Sequence, residues 1–148
     1  MLQQIALGSI LMVVTTIIHA GCTIAALLGL RMTRANLWAL RTRSGRMGLI
    51  AALVLMMFFA ALFEVTIWAA VYLAVGAISA VETALYFSMV TFTTLGYGDI
   101  VLKEGWRLLA SFEAANGIIM FGWTTALIFA VVHRLATHDQ ELAGETHS

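Results

Sequence analysis

Charged side chains are scarce in this sequence: 11% of its 148 residues are Asp, Glu, Lys or Arg, against 61% hydrophobic, and the mean hydropathy is +0.95. A soluble domain carries about a quarter of its residues as charges, so the solvent expected around this chain is lipid. The eight basic and eight acidic residues cancel to a formal net charge of zero, which gives no reason to expect a nucleic-acid partner. Proline is absent, so no apolar run carries the residue that most often kinks a helix, and flexibility must come from glycine. The lone cysteine, Cys22, has no partner for an intrachain disulfide. Paired catalytic carboxylates, a nucleophile with its base, a phosphate-binding loop and a metal-ligand cluster are all missing as sequence patterns. Hence no enzyme, small-molecule substrate or cofactor is expected.

What is present is apolar length. A bilayer core about 30 Å thick takes about 20 helical residues to cross, and three runs qualify: Ile5 to Leu30, Met47 to Gly76, and Leu108 to Leu135. The fold class expected is therefore an all-α membrane protein with three spanning helices. A fourth apolar patch, Ala84 to Leu95, is too short to span and is read as a re-entrant element, tolerated at membrane depth only where protein or water satisfies its backbone. Residues 31–46 form a connector holding Arg31, Arg34, Arg41, Arg43 and Arg46, five of the eight basic residues. The positive-inside bias makes this linker cytoplasmic. The N-terminus is then outside, the segment from Ala77 to Trp106 is external, and the C-terminal tail from residue 136 to 148 is cytoplasmic and expected to be disordered. A signal sequence ending near Cys22 lacks a basic leading region, and the apolar run continues past it. A voltage sensor would embed its arginines in an apolar helix rather than a polar connector. Leu37, Trp38 and Leu40 among the arginines suggest a short helix on the cytoplasmic interface, or else a solvated basic linker.

Phe87 to Val101, FSMVTFTTLGYGDIV, lies in the external segment. Thr94-Leu95-Gly96-Tyr97-Gly98-Asp99 resembles the selectivity-filter signature of pore-loop potassium channels, with Leu95 where valine is usual. The resemblance covers residues 47–135 and implies an outer helix 47–76, a pore helix 80–93, a filter 94–99 and an inner helix 107–135. The helix of residues 1–30 stands outside it. The implied function is passive potassium conduction in the cell membrane. Carbonyls of Thr94, Leu95, Gly96 and Tyr97 would coordinate K+, with Gly98 completing the filter, and K+ is the permeant ion rather than a cofactor. Stacked carbonyl rings require successive oxygens to point the same way, through dihedrals that glycine reaches cheaply. Four chains are needed to close a ring, so a homotetramer in the lipid bilayer is implied. The resemblance also implies that Leu95 buries its side chain and that Tyr97 wedges against neighbouring aromatics.

Ser79-Ala80-Val81-Glu82 reads as a capping box that opens the pore helix, whose carboxyl end would favour a cation by its dipole. Tyr86 stands where related filters often carry tryptophan and is placed to hydrogen-bond Asp99. Val90 stands where some bacterial members carry a glutamate behind the filter. At about 100° per residue, Ala114, Gly117, Ile118, Phe121 and Thr125 share a face assigned to the cavity and gate. Gly117 is either a hinge or a point of close helix approach. Glu113 and Asn116 fall off that face and are expected to hydrogen-bond the pore helix or a neighbouring subunit. Glu64 is expected to find a partner near the pore helix, and His19 is read as a packing histidine. His133 and Arg134 are read as end-of-helix anchors. The competing readings are a weakly selective cation channel and a non-conducting accessory or scaffold subunit.

Overall fold

The computed structural model describes the backbone of residues 1–35 and 42–145 and the side chains of 1–30 and 42–137. Among the described residues all regular structure is helix: α1 (Leu2–Ala35), α2 (Arg43–Ala74), α3 (Val81–Phe92) and α4 (Arg107–Glu145). Three stretches, Leu2–Leu30, Arg43–Ala74 and Arg107–Thr137, are long and apolar enough to cross a membrane. The 32 residues of α2 extend about 48 Å, so its ends project beyond a hydrocarbon core of about 30 Å. Helix α3, with 12 residues, reaches only about 18 Å and cannot cross. The chain is an all-helical, multi-pass membrane protein.

Helix boundaries follow local chemistry more closely than the apolar runs suggest. Helix α2 opens at Arg43 rather than Met47 because Thr42 caps it, accepting a hydrogen bond from the Gly45 N–H at 3.1 Å. It closes in a Schellman motif: Gly76 takes φ +68°, its N–H bonds the Leu73 carbonyl at 3.1 Å, and the Ala77 N–H bonds the Tyr72 carbonyl at 2.9 Å. The capping box expected at α3 does not form. Ala80, not Ser79, is its N-cap residue, and no side chain caps the helix. With the register moved by one, Glu82 stands too early to reach back to the cap, although it still faces the positive end of the helix dipole. The tail expected to be disordered instead continues α4 as helix through Glu145. Its sequence has no proline and several good helix formers, so nothing local stops the helix. The interfacial helix expected around Leu37, Trp38 and Leu40 lies outside the described residues.

Helix α3 lies between α2 and α4, and α1 packs on α2 and α4 without touching α3. The main core joins Trp68 and Tyr72 of α2, Phe87 and Phe92 of α3, Leu109 and Met120 of α4, and Leu11 of α1. Tyr72 meets Phe87 edge to face with ring centroids 5.2 Å apart. A second cluster unites Ala26, Leu53, Met57, Ala60 and Val131.

Along α1 a polar stripe faces inward. The Leu108 N–H in the first turn of α4 donates to Gln4 Oε1 at 3.1 Å, Asn116 Nδ2 donates to Thr15 Oγ1 at 2.8 Å, and His19 Nε2 lies 3.1 Å from Thr124 Oγ1. These pairs advance together along both helices, so α1 and α4 run parallel and α2 runs against them. The N-terminus and the segment joining α3 to α4 therefore lie at one end of the protein, and Arg43 and Arg46 at the other.

Two glycines set the closest approaches. A Cβ on Gly117 would lie 1.8 Å from the Phe92 carbonyl oxygen, and one on Gly8 would lie 2.7 Å from Phe112 Cγ. Backbone cannot give way as a side chain can, so Gly117→Ala is expected to lower stability by about 1–3 kcal/mol or more. Gly21→Ala, where a Cβ meets nothing within 4 Å, is expected to leave stability unchanged or raise it slightly. Thermal unfolding of the purified protein in detergent checks both, and equal melting of the two variants would contradict the packing described.

Candidate functional site

Helix α3 ends at Phe92 by the same device that ends α2, but without a glycine. Thr93 is the C-cap, the Thr94 N–H bonds the Thr91 carbonyl at 2.9 Å, and the Leu95 N–H bonds the Val90 carbonyl at 3.0 Å. Thr94 occupies the left-handed position with φ +59°, the only non-glycine residue described with positive φ. An L-residue there costs about 1–2 kcal/mol. From this point the backbone alternates: φ is positive at Thr94, Gly96 (+56°) and Gly98 (+77°) and not at Leu95 or Tyr97.

A uniform strand turns successive peptide groups to opposite sides. Alternation between left- and right-handed conformations can turn them to the same side, as it does for the N–H groups of anion-binding backbone concavities. Among the described residues no group of three or more His, Cys, Asp or Glu comes together to hold a metal ion. The oxygens this loop offers are mainly backbone carbonyls and threonine hydroxyls.

All of Thr93 to Asp99 is exposed on the single chain. Leu95, expected to bury its side chain, is 55% exposed, and Tyr97 is 67% exposed. Burial of either depends on contacts beyond one chain. Behind the loop lies a recess of 120 Å³ lined by Tyr86, Val90, Thr91, Gly96, Gly98 and Asp99. The Tyr86 hydroxyl crosses it to donate to Asp99 Oδ2 at 2.7 Å. Val90 is half-buried here and brings no polar atom to the loop.

On α4, Gly117 does not line open space: it is buried under the end of α3, which rests on its backbone. Ile118, Phe121 and Thr125 are exposed on the single chain, with Phe121 edge-on to Phe92 at 5.8 Å. The Thr125 hydroxyl donates to the Phe121 carbonyl at 2.8 Å. Gly122 has no neighbour within 4 Å of where a Cβ would stand.

Most of the buried polar residues pair across helices in three separate sets. Glu113 joins α4 to both α2 and α3, accepting from the Tyr72 hydroxyl at 2.6 Å and touching Ser88 of α3. Asn116, expected to reach the pore helix or a neighbouring subunit, pairs instead with Thr15 of α1. Glu64 likewise turns away from the pore-helix region: its Oε1 lies 2.9 Å from His19 Nδ1 of α1. His19, fully buried and edge-on to Trp123 at 5.8 Å, thus bridges α2 and α4. Sequence reasoning passed over Ser88, Tyr72, Thr15 and Thr124 as partners. Their only signal was a hydroxyl in an apolar helix at a level facing Glu113, Asn116 or His19.

The hydrogen bond to Asp99 and its negative charge hold the Tyr86 phenol above its ordinary value. The contact therefore contributes fully below about pH 10, the ordinary phenol pKa, and is lost as pH rises through the raised folded value. An ultraviolet titration of phenolate, with the Tyr86→Phe difference isolating this residue, is expected to show late ionisation in the wild type. The same residue is expected to ionise earlier in Asp99→Asn; identical curves would mean the bond does not persist in solution.

A family model described as an ion channel matches residues 49–134, more than half of the chain. No curated protein and no solved structure matches it. The matched region takes in most of α2, all of α3 with its loop, and α4 through Arg134, while α1 lies outside it. Two spanning helices flanking a short helix and an exposed loop with alternating φ are what that match covers, and the chain belongs to the two-transmembrane-helix ion channel family.

Proposed function

We propose that the protein is a potassium-selective channel in which four copies bring their 94–98 loops together around one axis. The observation that carries this reading is the alternation of φ at Thr94, Gly96 and Gly98. It suits a backbone that presents successive carbonyls to one side, as a dehydrated potassium ion needs. In this reading the carbonyls of Thr94, Leu95, Gly96 and Tyr97 coordinate K+, Gly98 completes the filter, and Asp99, Tyr86 and Val90 support it from behind. The exposed apolar side chains of Leu95 and Tyr97 become contacts between subunits.

Helix α3 aims its carboxyl end at the water-filled cavity, where the helix dipole favours a cation. Ile118, Phe121 and Thr125 line that cavity, and Gly117 keeps α3 seated against α4. The arginine-rich end faces the cytoplasm by the positive-inside bias. The N-terminus and the filter are then outside and the end of α4 is inside.

Ion uptake into liposomes holding the purified protein tests this directly. Uptake is expected to favour potassium over sodium and to be blocked by barium. Gly98→Ala forces an L-residue into the left-handed region, at about 1–2 kcal/mol per chain and about 4–8 kcal/mol across four, and is expected to abolish selective uptake. Equal sodium and potassium uptake would point to a weakly selective cation channel. No uptake of any ion by tetrameric protein would favour a non-conducting accessory subunit.

A further inference from the structure

Three close contacts meet around Glu113, and they need three protons. Tyr72 Oη lies 2.6 Å from Glu113 Oε2, Glu113 Oε1 touches Ser88 Oγ, and Ser88 Oγ lies 2.9 Å from the Val65 carbonyl oxygen. Glu113 and Ser88 are fully buried. The two hydroxyls supply two protons, while the Val65 carbonyl is an acceptor only, as is an ionised carboxylate. With Glu113 ionised, the single Ser88 proton would serve either Glu113 or Val65, and the other contact would set two acceptor oxygens against each other.

A proton on Glu113 Oε1 fills the gap. Tyr72 then donates to Glu113, Glu113 donates to Ser88, and Ser88 donates to Val65, all in one direction. We propose that Glu113 stands in the membrane as a carboxylic acid and that this relay clamps α3 to both long helices. It leaves α2 at Tyr72, passes through α4 and α3, and returns to α2 at Val65.

The charges around the site agree. No lysine or arginine is buried among the described residues. Of the titratable groups on elements packed against α4, Tyr72 of α2 meets Glu113, while Glu64 of α2 and His19 of α1 are paired with each other. On α3, Glu82 is exposed and Tyr86 is bonded to Asp99. A carboxylate here would be a buried charge with no cation beside it, which is costly in hydrocarbon. A neutral acid with its donor and acceptor satisfied is not.

Taking α3 as the support of an ion filter, as proposed above, Glu113 is a positioning residue for that filter. Infrared spectra of the reconstituted protein at neutral pH test its protonation without reference to conduction. The wild type is expected to show the C=O stretch of a protonated carboxylic acid that is missing in Glu113→Gln and shifted to higher frequency in Ser88→Ala. Loss of carboxylate bands in Glu113→Gln, with no change in the acid band, would overturn the proposal. In flux, Glu113→Gln can accept from Tyr72 and donate to Ser88 as the acid does, so it is expected to keep potassium preference within about twofold of wild type. Glu113→Leu breaks the relay and is expected to lose that preference, and wild-type preference in this variant would count against the positioning role. An acid band in a protein that conducts nothing would keep the clamp and set aside the channel reading alone.

Discussion

The end of α3 lies directly on the backbone of α4, with the Phe92 carbonyl against Gly117 and no side chain between them. The last carbonyls of any helix have no partner within it and must find one elsewhere. The chain meets this by turning back on itself: the N–H groups of Thr94, Leu95 and Gly96 return to the carbonyls of Thr91 and Val90. The turn needs a left-handed residue, and Thr94 takes that role at a cost glycine would avoid. The same strained residue begins the alternating backbone of the loop. Helix termination and the start of the alternating backbone are thus one feature rather than two.

Seating that end requires the rest of α3 to be held from the sides. Apolar packing supplies much of the contact, with Phe87 against Tyr72 and Phe92 against Phe121. Hydrogen bonds give it direction, because lipid and a buried leucine are equally apolar and burial alone discriminates little between helix arrangements in a membrane. Ser88 fills this role on α3, tied to α2 at Val65 and to α4 at Glu113.

The first helix shares this logic, although it lies outside the family match. Its inward face carries Gln4, Thr15, His19 and Thr23, each at most 8% exposed. Three of these reach polar partners on α4, and His19 also reaches Glu64 on α2. Polar groups at membrane depth are costly unless paired. With these partners α1 is built into the body of the protein rather than laid beside it, and it holds α4 at its first turn, at Asn116 and at Thr124.

The sequence by itself determined the elements of this protein that depend on local composition. Apolar runs longer than the bilayer marked the three spans, the arginine cluster marked one end, and the spacing of Gly96 and Gly98 marked a backbone that must visit left-handed conformations. Tyr86 and Asp99 were legible as a pair through the resemblance to potassium-channel filters. Only the tertiary structure decided which buried polar groups meet. Glu64 was expected to pair near the pore helix and Asn116 with the pore helix or a neighbouring subunit; both turned to α1, because the register of α1 against the other two long helices brings His19 and Thr15 to their level. Between α1 and α4 that register relates segments about a hundred residues apart. The role of Gly117 was likewise open in sequence, since a hinge and a contact ask for the same small residue, until the position of Phe92 showed what a Cβ there would meet.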